Sequence, residues 1–82
     1  MALRKYFCTF PQALIKEPII SHTLNHEFGV VPNIRAASIT EQMAMVAVEI
    51  EGDLDKIDQS VIYLRERGVR VEEIQEGEHS AD

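Results

Sequence analysis

Between Met43 and Glu51 the chain keeps a strict alternation, with Ala44, Val46, Val48 and Ile50 on one set of positions and Met43, Met45, Ala47, Glu49 and Glu51 on the other. A period of two belongs to a β-strand with one buried face. At Gly52-Asp53 the period changes: Leu54, Ile57, Val61 and Leu64 follow at helical spacing, Asp53 suits the N-cap and Gly68 the stop. A half-buried strand joined so tightly to an amphipathic helix has to bury both apolar surfaces against each other, so the helix packs back onto the sheet.

The first half repeats this order. Leu3 to Phe10 reads as an aromatic-rich strand in which Tyr6, Cys8 and Phe10 share one face and Phe7 points the other way. Pro11 to Glu17 is a connection, Pro18 suits a first helical turn, and Ile20, Leu24 and Phe28 form one apolar stripe that Gly29 ends. Val31 to Ile39 is a second strand, and Pro32 near its start, lacking a donor, suggests an edge position. Thr40-Glu41-Gln42 reads as a turn, and Val69, Val71 and Ile74 mark a short last strand. Strand, helix, strand, strand, helix, strand with right-handed crossovers predicts an α+β, ferredoxin-like (ACT-like) βαββαβ sandwich: a four-stranded antiparallel sheet with both helices on one face. The domain takes residues 1–74, and residues 75–82 are a polar, acidic tail predicted to be disordered.

Eight Lys plus Arg against fourteen Asp plus Glu give a net charge of −6 over 82 residues, the wrong sign for binding phosphate backbones or anionic membrane surfaces. A single cysteine, Cys8, excludes an internal disulfide and a thiolate-rich metal site. It is read as a small buried core residue, and with no signal-peptide core or membrane-length apolar run the reading is a cytoplasmic protein. A chain this short buries only about 60% of its unfolded surface, which favours association, and a homodimer is expected.

The face of the sheet away from the helices is where function is expected. If Ala44, Val46, Val48 and Ile50 meet the helices, Met43, Met45 and Ala47 lie on the other side, joined by Phe7, Thr9, Asn33, Arg35 and Ala37. Contiguous exposed apolar surface of this kind marks a partner or ligand site. Phe7, Ala37, Met43, Met45 and Ala47 are the expected dimer contacts, and Asn33, Arg35 and Met45 the expected ligand contacts. An amide such as that of Asn33 can donate to a carboxylate and accept from an ammonium at once, although an Asn near a strand start also often bonds only local backbone. His22 and His26 stand one helical turn apart, but no third ligand or adjacent Glu accompanies them, so neither a metal nor a cofactor is expected. No Gly-rich phosphate loop, calcium loop or flanked serine nucleophile is present, so the chain is read as a non-enzyme. Of folds with the same element order, an RNA-recognition domain would want aromatic rings where Met45 and Ala47 stand, and a copper chaperone would want Cys-x-x-Cys where Pro11 to Leu14 stand.

Phe10-Pro11, Pro18, Phe28-Gly29-Val30, Asn33-Ile34, Gly52 and Leu64 to Val71 occur in the order and spacing of one family, and over residues 4 to 74 the chain resembles the NIL domain. That domain is known mainly as the C-terminal regulatory module of ATP-binding subunits of methionine importers. The resemblance implies a regulatory role, a possible small amino-acid ligand such as methionine at or near a dimer interface, and a part in methionine sensing for Asn33, which heads the family's Asn-Ile-Leu triplet. Two departures are visible: Arg35 stands in the place of that Leu, and Met43 to Ala47 carry no glycine where the family usually has some. They favour the alternative, an adaptor or assembly module that contacts an unidentified protein partner and takes no metabolite.

Overall fold

The computed structural model describes residues 1–75. The alternation of Tyr6, Cys8 and Phe10 builds strand β1 over Ala2–Pro11, and the Met43 to Glu51 pattern builds β3 over Met43–Gly52. Between them lie a 3₁₀ turn over Gln12–Leu14, a π-helical turn over Ile19–Thr23, helix α1 over Leu24–Phe28 and strand β2 over Val31–Ile39. Helix α2 (Leu54–Glu66) and strand β4 (Arg70–Glu73) complete the chain. The strands lie in the order β2-β3-β1-β4 with every neighbouring pair antiparallel, which is the ferredoxin-like arrangement. Strand β2 is an edge, where Pro32 leaves no ladder bond unmade on a central strand.

The apolar core lies between the sheet and the helices. Cys8, Val48 and Ile50 from the sheet meet Leu24 from α1 and Ile57 and Leu64 from α2, all essentially buried. Two details differ from the simple helical reading. The segment after Pro18 opens as a π turn, with the His22 and Thr23 N–H groups both donating to the Pro18 carbonyl at 3.0 and 3.1 Å, and both Ile19 and Ile20 are buried there. Asp53 occupies the N-cap position of α2 with extended backbone, yet its side chain makes no capping bond; its carbonyl accepts from the Ile57 N–H at 2.9 Å.

The connections are fixed by local chemistry. Gly29 adopts φ 70°, and its N–H donates to the Asn25 carbonyl at 2.9 Å, closing α1. The Asn25 side-chain amide then donates to the Val30 carbonyl at 3.0 Å and aims the chain into β2. At the other end of β2 the Thr40 hydroxyl accepts from the Gln42 and Met43 N–H groups, both at 3.2 Å, setting the turn into β3. Gln75 lies at the end of the described residues, and the predicted disorder of residues 76–82 lies outside them.

Candidate functional site

Register decides which side chains share the helix-free face. Strand β1 pairs Lys5 with Glu49, Phe7 with Ala47 and Thr9 with Met45, and β2 pairs Asn33 with Glu49. Partners in a ladder project to the same side, so Phe7, Asn33, Met43, Met45 and Ala47 share that face. Beyond Ile34 the pattern shifts. Ile34 opposes Val48 but Ala36 opposes Ala47, which leaves Arg35 as the extra residue of a β-bulge. The bulge moves Ala37 opposite Val46 in register and sets Ala36 and Ser38 opposite Ala47 and Met45, and all three border one and the same hollow.

Two shallow hollows adjoin on this face and share Ala47. The first, about 180 Å³, is lined by Phe7, Ala36, Ala37, Ser38, Met45 and Ala47 and is almost wholly apolar. The second, about 270 Å³, is lined by Lys5, Arg35, Ala47, Val48, Glu49 and Ile74. Glu49 is its centre: Lys5 Nζ lies 3.6 Å from Oε2 and Arg35 Nη1 3.7 Å from Oε1. The carboxylate is only 19% exposed, whereas the Arg35 side chain is 66% exposed and reaches over it. Asn33, across the ladder from Glu49, is exposed, and its amide makes no hydrogen bond among the described residues. Phe7 and Met43 are 37% and 41% exposed, while Met45 and Ala47 are half-buried.

Lys5 and Glu49 were not legible as site residues in isolation. The available signal was positional: Glu49 belongs to the same alternate set as Met43, Met45 and Ala47. Ala36 and Ser38 gave none, because nothing in Asn33-Ile34-Arg35-Ala36 announces a bulge.

The other sequence candidates lie elsewhere. Cys8 is fully buried, and desolvation pushes its thiol up to about 11, which makes it a core residue with little nucleophilic thiolate. The His22 and His26 rings stack at 5.2 Å on the exposed side of the helical segment, and no three metal-ligating side chains gather among the described residues.

The NIL domain family model matches residues 8–73, which takes in the end of β1, both helices and strands β2 to β4. The chain belongs to the NIL domain family. This is a family of regulatory domains of ABC transporters rather than of catalytic ones. Among solved structures, the NIL fold seen here is similar to that of the C-terminal domain of an ABC transporter/ATP-binding protein from Enterococcus faecalis, with a TM-score of 0.76 and 23% sequence identity. The match covers 89% of this chain and 84% of that one. A comparison with curated proteins gave no match. No helix among the described residues of this NIL domain is long and apolar enough to cross a membrane.

Proposed function

We propose that this NIL domain is a cytoplasmic regulatory module that binds a small amino acid, methionine foremost, on the helix-free face of its sheet, beside a contact with a second copy. One observation carries the reading: an apolar hollow and a charged one meet at Ala47. A zwitterion with an apolar side chain needs this combination. Arg35 and Lys5 are cations for its carboxylate, Glu49 is an acceptor for its ammonium, and the Asn33 amide can serve either end. The side chain then lies across Ala47 onto Met45 and Phe7, where a thioether makes favourable contact with an aromatic ring. Such a ligand regulates only by binding one arrangement of the protein better than another. No cofactor enters the reading.

Calorimetry against a panel of amino acids tests it, with Asn33→Ala and Glu49→Gln as controls. Heat on adding L-methionine, weakened in both variants, supports the site. Saturating methionine that gives neither heat nor a rise in melting temperature overturns it, because anything bound only by the folded state stabilises that state.

A second reading keeps the same face for protein contact alone. It is favoured by Arg35 in place of the triplet's Leu and by the shallowness of both hollows. Capture of a protein partner by wild type, lost on Met43→Glu and unaffected by methionine, would select it.

A further inference from the structure

A third hollow, of about 370 Å³, lies on the helix side of the sheet between α2 and β4, at the sheet edge opposite β2. Asp58, Val61, Ile62 and Arg65 follow one another at helical spacing and make its wall, while Tyr6 and its ladder partner Glu73 make its floor. Arg65 Nη2 donates to the Val71 carbonyl at 3.0 Å, which pins that side chain between the helix and the last strand.

Tyr6 makes this a built site. It is only 5% exposed, so its ring belongs to the core. Its hydroxyl makes no hydrogen bond to a described residue, yet among the described residues no fully buried side-chain polar atom goes without a partner. The oxygen therefore reaches the hollow, and a side chain otherwise given to packing delivers one polar atom to its floor. Asp58 has neither an ion pair nor a hydrogen bond among the described residues. Glu73 has Arg4 Nη1 at 3.7 Å from Oε2, but the two side chains are 43% and 38% exposed, and solvent screens such a pair.

Negative charge prevails at this floor. Beside burial, the carboxylates of Glu73 and Asp58 raise the Tyr6 phenol by more than Arg4 and Arg65 lower it. The net charge of −6 acts in the same direction. No group of three His, Cys, Asp or Glu gathers among the described residues, which leaves a chelated metal ion short of ligands. A primary ammonium is a better match: it has three donors for the three acceptors present, and its methylene stem suits an apolar wall. Ile62, 55% exposed, is that wall's outer shelf.

We infer that this hollow binds an aliphatic primary ammonium ion, the Tyr6 hydroxyl and the carboxylates of Asp58 and Glu73 accepting its N–H groups and Val61 and Ile62 receiving its methylene chain. A free alkyl amine and the lysine side chain of another protein carry the same group. The hollow is on the opposite side of the sheet from the proposed amino-acid site and does not rest on that reading.

Titration of the isotope-labelled full chain with cadaverine, followed by backbone amide shifts at constant ionic strength and neutral pH, tests the inference. Saturating shifts are expected around Tyr6, Asp58, Ile62 and Glu73, with a dissociation constant in the millimolar range. Tetramethylammonium, which has the charge but no N–H, should give none. Tyr6→Phe and Asp58→Asn should each raise the dissociation constant about tenfold, as expected for loss of one hydrogen bond to a charged group, whereas Asn33→Ala on the other face leaves it unchanged. Circular dichroism confirms that each variant is folded. Nα-acetyl-lysine amide, titrated in parallel, separates the sources: tighter binding than cadaverine points to a lysine side chain and weaker binding to a free amine, and either supports the site. Shifts that climb without saturating, that tetramethylammonium reproduces, or that persist unchanged in Tyr6→Phe and Asp58→Asn overturn it.

Discussion

Arg67 Nη2 lies 2.8 and 2.9 Å from the two carboxylate oxygens of Glu17, joining the end of α2 to the connection before the π turn across fifty positions of sequence. The same guanidinium donates to the Tyr63 hydroxyl at 3.0 Å and lies over its ring. Glu17 lines a groove of about 280 Å³ on the helix side of the sheet, beside Leu14, Ile20, Ile34 and Ile39, so the pair holds one wall of that groove in place. Arg67→Ala should therefore speed amide exchange across residues 14–17 selectively, with only a small fall in melting temperature, since exposed ion pairs contribute little. Exchange that rises evenly over the whole chain would show a global effect instead.

Alkaline pH should destabilise the fold through the groups buried beneath the sheet. Burial lifts the Cys8 thiol from 9.0 to about 11, and Tyr6 is also raised, by burial first and then by the carboxylates of Glu73 and Asp58. Between these limits the unfolded chain gives up a thiol proton that the folded chain keeps, so stability is full below pH 9 and falls as pH rises towards 11. The Cys8 share is of order 2–3 kcal/mol. Denaturant titrations at pH 8 and at about pH 11, the raised thiol value, should show the loss, and Cys8→Ala should flatten it to the part owed to Tyr6. A thiol reagent at pH 8 should react with Cys8 only through opened molecules, and so far more slowly than with the denatured chain.

Within α2, burial separates positions only two residues apart. Leu64 is fully buried and Ile62 is 55% exposed. Leu64→Ala should cost about 2–5 kcal/mol and lower the melting temperature markedly. Ile62→Ala should stay within about 0.5 kcal/mol of wild type. Thermal melts of the two variants decide the matter.

Gly29 isolates a backbone effect from a packing one. A β-carbon built there meets no atom within 4 Å, yet the residue sits at φ +70°. Gly29→Ala should then cost about 1–2 kcal/mol through conformation alone, and Gly29→Asn less, because Asn tolerates the left-handed region better. Equal losses in chemical denaturation would argue against this account.

The sequence disclosed the sheet because its signals were periodic. The alternation in β3 specified every face correctly, Pro32 marked an edge, and Gly29 and Gly68 closed the helices where expected. What stayed hidden was aperiodic. A π turn differs from an α turn by one hydrogen-bond register, and Ile19-Ile20-Ser21-His22-Thr23 shows no breaker that would betray it. The bulge at Arg35 is equally silent, since counting by twos puts Ala37 beside Met45, whereas the ladder pairs Ser38 with Met45. The candidate site inherits both facts: alternation places Phe7, Met45 and Ala47, while Ala36, Ser38 and the grip of Arg35 on Glu49 follow from the bulge, which no periodicity announces.

Strand β2 thus carries one residue of slack. Because Ile34 and Ala36 already oppose consecutive residues of β3, excising Arg35 would leave every remaining side chain of the strand facing the way it does now. The same excision inside β3 would turn half of that strand inside out. Length variation in this sheet is cheap at a single point, and that point happens to hold the cation over Glu49.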